Sequence, residues 1–394
     1  MGIVKDQIYK CLEKKMGVNT KERFVPDINR DFTKIQKRVL IVYLDMFQAS
    51  NQIHKNLKKE SGTCHTNRYE FFQIIKCFIQ LDCCIDICAN YDKEAINYIK
   101  EREYDIVFGL GDIFRYVCSK GNAKYKILYL TENPYSVSLK KESERIAYFK
   151  ERTGKQISLY RTGMFFKDGD ENYAYAIVCL GEKQYLLNSN KKVKKLYPTG
   201  FYNSKIKNFS QRDKKSFLVF GTDGFVHKGI DLLIEVFNKN LDWNLYICGY
   251  QVESQMDRLD LKHTDNIHDC GYIDVESNVF FELIGKCTYI VQPSCSEATS
   301  TAVLTGMRHG LIPIVMHGNG FDDFSQYCYF FDGYKIEQIE QNLKDVLKHS
   351  PSDIQSMSKK IYEYANAHFN LNYFFESMYK ILEELINEEG NGNK

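Results

Sequence analysis

The chain has 394 residues, more than one hydrophobic core usually organises, so two domains of similar size are expected. A hydrophobic share of 44% beside a charged share of 26% is that of a globular protein, and no run approaches the ~20 apolar residues that cross a bilayer. A formal net charge of +2 speaks against a general nucleic-acid binder, which carries a strong basic excess. Residues 1–30 mix Lys5, Lys10, Lys14 and Lys15 with Asp6 and Glu13 and hold no long apolar core, so no secretory signal is read there and a cytoplasmic protein is expected. The 13 cysteines fit that compartment: Cys179 in "AIVCL" and Cys248 in "LYICG" sit inside apolar runs and read as small buried hydrophobes. Two sets, Cys83, Cys84 and Cys88, and His263, His268 and Cys270, resemble ligand clusters but lack the paired spacing of a structural zinc site, so no metal is expected.

Short runs rich in Val, Ile, Tyr and Phe alternate with longer segments of helical period, the sequence form of βαβ units. In the first half the spacing predicts strands over 39–44, 85–88, 105–108, 127–130 and 174–180. Asp45 and Gln48 follow the first of these, and a polar segment with Ser50 and Asn51 leads to His65, Thr66, Asn67 and Arg68 at the start of a helix over 66–81. Glu132, Asn133 and Tyr135 follow the strand 127–130. The segment 188–215 is rich in lysine, carries Pro198, Thr199 and Gly200, and has no apolar period, which places a domain boundary near residue 200. Its basic residues over 191–215 suit a solvated linker or a patch for anionic lipid head groups.

The second half predicts strands over 217–220, 244–248, 288–291 and 312–316, giving an α/β chain with two parallel sheets covered on both faces. The strand 217–220 runs into a loop with Gly221, Thr222 and Gly224, then His227, Lys228 and Gly229, then a helix with Ile230, Leu233, Ile234 and Phe237 on one face. A lysine at the open end of a parallel strand and beside a helix N-terminus is placed to meet a phosphate. The strand 244–248 ends in Gly249 and Tyr250, and "NIHDCGYID" adds a short strand and a loop containing Ile273. The polar loop 293–301 holds one carboxylate, Glu297, along with Thr299, before an apolar helix that Ser300 or Thr301 can cap. Backbone N–H groups at Ser300, Thr301 and Ala302 would point at an anion, while Glu297 accepts hydrogen bonds from hydroxyls; a diphosphate joined to a sugar meets both needs. Phe374, Met378, Ile381 and Leu385 predict a closing amphipathic helix over 372–388.

The succession "SFLVFGTDGFVHKGIDLLIEVF", "ICGY", "GYID" and "PSCSEATSTAVLTGMRHGLIPIV" resembles the donor domain of glycosyltransferase family 4 and its GT-B relatives, within them the bacterial enzymes of capsular and other surface polysaccharides. "HTNRYEFFQIIKCFIQLDCCIDI" and "YLTENPYSVSLKKESERIAYFKERTG" are similar to first-half segments of the same group, so the resemblance runs from about Val39 to Leu385. It implies a GT-B fold: an acceptor-side Rossmann-like domain over 1–200, a nucleotide-sugar domain over 201–370 facing it across a cleft, and a final helix over 371–394 packing back on the first. It implies retention of anomeric configuration without a metal. Lys228 and Glu297 would be catalytic with His65, and the donor would lie among Gly221, Thr222, Gly224, His227, Lys228, Tyr250, Ile273, Glu297, Thr299, Ser300, Thr301, Ala302 and Thr305. The acceptor, a glycan or lipid-linked species, would meet His65, Asn67, Arg68 and Glu132. Two positions depart from the family pattern. Thr305 stands where a second glutamate is usual, and the loop before Lys228 offers Thr222, Asp223 and His227 in place of an arginine. A silent nucleotide-sugar-binding scaffold or a GT-B epimerase are the alternative readings.

Overall fold

The computed structural model describes residues 24–44, 66–203, 212–221, 224–249 and 252–392. Asp45, Gln48, Ser50, Asn51, His65, Thr222, Asp223 and Tyr250 lie outside the described residues. The chain divides into two compact units, one made of Met1–Pro134, Phe165–Leu196 and Leu371–Lys394, the other of Tyr135–Met164 and Tyr197–Asn370. Where the sequence suggests a single boundary near 200, the helix Tyr135–Thr153 and the loop behind it lie with the second unit.

The first unit holds one sheet of seven strands: β1 (Phe24–Ile28), β2 (Arg38–Tyr43), β3 (Cys84–Ala89), β4 (Tyr104–Gly109), β5 (Ala123–Leu130), β6 (Ala176–Cys179) and β7 (Lys192–Lys195). Their order is β1-β3-β2-β4-β5-β6-β7, parallel except that β1 runs antiparallel to β3 at the edge. Strands β2 to β4 are buried along nearly their whole length, which is why they read as continuous apolar runs with no alternation. Asp86 in β3 is a wholly buried charge; it accepts from Arg38 at 3.1 Å, Arg102 at 3.1 Å, the Tyr104 hydroxyl at 3.0 Å and the Asp27 N–H at 2.8 Å. Cys83, Cys84 and Cys88 are buried as apolar side chains. Among the described residues no three His, Cys, Asp or Glu side chains gather as a metal-ligand set.

The helix Asn67–Gln80 covers this sheet, and Thr66 stands at its N-cap without a side-chain capping bond. The closing helix Leu371–Gly392 packs on it through Phe374, Met378, Leu382 and Leu385, and the Cys77 thiol donates to the Phe375 carbonyl at 3.6 Å. The basic segment read as a linker is partly a strand. In β7, Lys192 and Lys194 pair with Glu388 and Glu384 of the closing helix, and Lys195 with Glu182 at 3.1 Å. Lysine alternation conceals this edge strand, because its energetics come from ladder bonds to β6 and from charge partners far along the chain.

The second unit holds six parallel strands: β8 (Asp213–Gly221), β9 (Asn244–Gly249), β10 (Ile267–Asp269), β11 (Cys287–Gln292), β12 (Ile312–Met316) and β13 (Tyr329–Phe331), ordered β10-β9-β8-β11-β12-β13. Phe217, Phe237, Trp243 and Tyr289 form its aromatic centre, with Phe217 and Tyr289 stacked 5.0 Å apart on adjoining strands. The chain leaves β8 outward to β9 and β10, then returns to the other side of β8 with β11. The switch point of the sheet therefore lies between β8 and β11, and the loops after these two strands open on the same crevice. None of the described helices is long and apolar enough to cross a membrane.

Candidate functional site

Lys228 follows β8 and Glu297 follows β11, so the topology brings these two distant residues to the switch point. The structure pairs them as an ion pair, with 12% and 14% of their side chains exposed, which leaves both heads reachable at the rim. Three further contacts join the two loops. The Cys295 N–H donates to the His227 carbonyl at 2.9 Å, His227 Nε2 lies 2.7 Å from the Ser296 carbonyl, and Gly229 presses against Pro293. A Cβ at Gly229 would stand 2.6 Å from the Pro293 carbonyl oxygen, and the residue's φ of +75° favours glycine as well. Lys228 and Glu297 are thus held together by backbone packing as well as by charge.

Three N–H groups of the loop 224–230 are bonded within it. Lys228 N–H donates to Gly224 O at 2.6 Å, Gly229 N–H to Val226 O at 3.0 Å and Ile230 N–H to Phe225 O at 3.0 Å. These three groups are therefore not free to meet a ligand at the N-terminus of the helix Ile230–Lys239, and Gly224 and Lys228 shape this side of the site through a turn and a side chain. The free donors are on the other loop. The helix Thr301–Arg308 begins after Ser300 at the N-cap, and the first intrahelical bond is Leu304 N–H to Ser300 O at 3.0 Å. Thr301, Ala302 and Val303 therefore have N–H groups without an intrahelical carbonyl. Ser300 makes no side-chain capping bond, and Thr299 is held by its hydroxyl on the Gly320 carbonyl at 3.1 Å.

A third loop, after β12, braces Glu297. The Glu297 N–H donates to Asn319 Oδ1 at 3.1 Å, and Asn319 Nδ2 donates to the Ser294 carbonyl at 2.8 Å. Asn319 is itself buried. Burial works against the Glu297 charge, but Lys228, His227 and Arg161 outweigh it and hold the carboxyl well below the usual carboxylate range. Burial likewise opposes a charge on His227, yet Cys295, Glu142 and Glu297 around the ring hold it well above its ordinary value. His227 Nδ1 lies 3.2 Å from Glu142 Oε1 and Nε2 lies 3.5 Å from Glu297 Oε1, so the ring stands between two carboxylates.

Glu142 and Arg161 are residues that the sequence reading missed. The helix Tyr135–Thr153 buries Glu142, Arg145 and Phe149, a stripe at helical spacing in which two of the three members are charged. Arg145 is wholly buried and pairs with Asp231, in the first turn of the helix Ile230–Lys239; Arg152 pairs with the same carboxylate. Glu142 accepts from the N–H groups of Tyr160 at 2.9 Å, Arg161 at 3.2 Å and Thr162 at 2.9 Å. The only signal in the sequence was the 3- and 4-residue spacing of 142, 145 and 149, which polar identity disguises.

Thr305 is buried inside its helix. Its hydroxyl donates to the Thr301 carbonyl at 2.8 Å and accepts from the Phe201 N–H at 2.9 Å, so it is committed to holding the strand-free segment 197–203 against the helix. Gly221 ends β8 with Gly249 closely beside it at the end of β9, and Ile273 packs partly buried against the core of the same unit. Asn67, Arg68 and Glu132 are all half-buried residues of the first unit, two opening the helix Asn67–Gln80 and one following β5.

A doubly wound unit with a cation, an acid and a helix N-terminus converging on its switch point, in a chain with a second sheet that is parallel but for one edge strand, has the architecture of the GT-B fold. Residues 203–368 match the family model of the glycosyl transferases group 1. A comparison with curated protein sequences finds no match. Among solved structures, the pneumococcal O-GlcNAc transferase GtfA in complex with UDP and GlcNAc is 14% identical with a TM-score of 0.50, over 74% of this chain and 60% of that one. The chain thus spans about three fifths of that protein's length. WaaG, a glycosyltransferase involved in lipopolysaccharide biosynthesis, is 16% identical with a TM-score of 0.50, over 87% of this chain and 99% of that one. A sucrose-phosphate synthase from Thermosynechococcus elongatus is 10% identical with a TM-score of 0.59, over 90% and 100%. At these identities the likeness establishes the fold.

Proposed function

We propose that the protein transfers a sugar from a nucleotide-diphosphate donor to a glycan or lipid-linked acceptor, with retention and without a metal, in the assembly of a surface polysaccharide. The observation that carries the reading is the Lys228–Glu297 pair at the switch point, beside the N–H groups of Thr301 and Ala302. The diphosphate of the donor lies against Lys228 and that helix N-terminus, and Glu297 accepts hydrogen bonds from the sugar hydroxyls. In the reaction the bond between the anomeric carbon and the phosphate oxygen breaks and that carbon bonds to the acceptor oxygen. The acceptor proton passes to the leaving phosphate oxygen. Negative charge grows on the diphosphate as it departs, and a fixed cation with fixed N–H dipoles stabilises it, commonly by ~3 kcal/mol per group.

Retention and metal independence rest on the resemblance to glycosyltransferase family 4. The polysaccharide role is supported by the likeness to WaaG, and the nucleotide by that to a transferase bound to UDP. His65, Asn67, Arg68 and Glu132 are proposed for the acceptor, and Tyr250, Ile273 and their neighbours for the base. A cytoplasmic site of action at the inner face of a membrane is proposed on the same grounds. The basic segment 191–215 adds little to it, since Lys192, Lys194, Lys195 and Lys215 pair with carboxylates. The test is donor hydrolysis: the protein is incubated with UDP-, GDP-, ADP-, CDP- and dTDP-sugars, and slow release of one nucleoside diphosphate is expected. Release from none of them, with or without added glycan acceptors, contradicts the reading.

A further inference from the structure

His227 directly precedes Lys228, and its ring reaches the residue that directly precedes Glu297. The His227 main-chain carbonyl accepts from the Cys295 N–H at 2.9 Å, and Nε2 lies 2.7 Å from the Ser296 carbonyl. A carbonyl only accepts, so Nε2 carries the hydrogen and donates it. This bond between the two loops sets how the lysine and the carboxylate stand to each other. Nε2 is also 3.5 Å from Glu297 Oε1, and Nδ1 is 3.4 Å from the Cys295 sulfur. His227 is buried and both ring nitrogens face protein groups, so the ring holds the loops together where the resemblance placed it among the donor contacts.

The ring is oriented from outside the family segment 203–368. Glu142, buried on the helix Tyr135–Thr153, has Oε1 3.2 Å from His227 Nδ1. The same carboxylate accepts from the N–H groups of Tyr160 at 2.9 Å, Arg161 at 3.2 Å and Thr162 at 2.9 Å, and from the Thr162 hydroxyl at 2.6 Å, which fixes its own direction. Positions 138, 141, 142 and 145 share one face of that helix. Ser138 Oγ is 3.1 Å from Ser296 Oγ, Lys141 Nζ donates to the Gly318 carbonyl at 3.3 Å, and Arg145 pairs with Asp231. One helix face thus reaches the loops after β11 and β12 and the helix that follows β8. Ser296 is held twice, by its hydroxyl and by its carbonyl, and both holds lead back to the helix Tyr135–Thr153.

We propose that His227, oriented by Glu142, is a positioning residue for sugar transfer: its Nε2–H on the Ser296 carbonyl holds Glu297 in place against Lys228. The inference rests on the donor-site reading given under Proposed function. Groups that meet a reacting sugar must be held closely, since a displacement of about 1 Å costs roughly a hundredfold in rate. The loop after β11 has no regular structure of its own between Pro293 and Ser300, so its place is fixed by such side-chain bonds.

The test compares the full chain with His227→Asn, His227→Gln, Glu142→Gln and the double variant of His227→Asn and Glu142→Gln. Each is assayed with whichever of the UDP-, GDP-, ADP-, CDP- and dTDP-sugars the native chain turns over, with calorimetry on the released nucleoside diphosphate and a thermal melt. A glutamine amide reaches the place of Nε2 and can donate to Ser296, whereas an asparagine amide stops at the place of Nδ1. His227→Asn is therefore expected to lower kcat by roughly tenfold to a hundredfold, with Kd for the nucleoside diphosphate within about threefold of native, and His227→Gln to recover most of the loss. Glu142→Gln is expected to lower kcat by about threefold to tenfold alone and to add little in His227→Asn, because it acts through that ring. Native kcat in His227→Asn, equal losses in His227→Asn and His227→Gln, a matching loss in Kd, or effects of the two sites that multiply each overturn the inference and leave the donor-site reading standing. If His227→Asn does not fold, Glu142→Gln carries the test, and native kcat there overturns the inference. Turnover of none of the five donors by the native chain overturns the reading and the inference together.

Discussion

Replacing Lys228 by methionine keeps most of the side chain's length and apolar contact and removes its charge. Two effects follow from the structure, and they separate. In the resting protein Glu297 loses its nearest cation but keeps His227 at 3.5 Å and the charge of Arg161, so the destabilisation stays below the ~3–5 kcal/mol of a wholly orphaned buried charge. In the reaction, the loss falls where charge develops on the diphosphate. A single preorganised donor there is worth ~3 kcal/mol, which lowers kcat/KM by roughly 150-fold. The assay is nucleoside diphosphate release from the preferred sugar donor, read at several donor concentrations, with a thermal melt of the same sample. A fall carried mainly by kcat, in a protein that still melts cooperatively, is expected. A variant with native kcat/KM, or one whose loss is fully accounted for by unfolding, refutes the role given to Lys228.

Glu297→Ala is expected to weaken binding of the sugar nucleotide more than that of the nucleoside diphosphate by calorimetry, because the carboxylate is assigned to the sugar; equal losses would reassign it. Arg145→Met leaves Asp231 buried with Arg152 alone, and urea unfolding should show a loss of about 3 kcal/mol, much of it recovered in the double variant with Asp231→Asn. His309 is buried, and burial, with Arg308 and Arg212 adding, pushes its pKa down to about 4; Nδ1–H donates to the Thr305 carbonyl at 2.8 Å and Nε2 accepts from the Asn203 N–H at 3.2 Å. The unfolded chain binds a proton at this residue near pH 6.5 and the native protein only near 4, so stability falls by about 3 kcal/mol as pH drops through that window. Melting curves between pH 7 and pH 4 should therefore show a smaller acid loss in His309→Gln than in the native chain, and parallel curves would contradict it.

Most of this architecture is legible in the amino-acid sequence. The runs 39–44, 105–108, 217–220 and 288–291 are buried on both faces of parallel sheets, and burial on both faces is what makes a strand a continuous apolar word. Lys228 and Glu297 were legible for a related reason: each follows such a run, and parallel topology sends the ends of neighbouring strands to one crevice. The elements that escaped are those stabilised by partners distant in sequence. Edge strand β7 looks like a basic linker until Glu384 and Glu388 are seen opposite it. The helix Tyr135–Thr153 looks solvent-facing because its buried stripe is Glu142, Arg145 and Phe149, charges tolerated only because His227 and Asp231 meet them. Thr305 shows the opposite case, since its place in the motif suggests a ligand contact while its hydroxyl is taken up by Phe201 and Thr301.

The central claim is that the loops after β8 and β11 hold one diphosphate sugar between Lys228, Glu297 and the start of the helix Thr301–Arg308. A crystal structure of the complex with the nucleoside diphosphate released from the preferred donor tests it most directly. The terminal phosphate is expected within hydrogen-bonding distance of Lys228 Nζ and of the Thr301 or Ala302 N–H, with Glu297 lining the space beyond it. Phosphate density at any other place in the second unit, with the Lys228–Glu297 pair undisturbed, would contradict it.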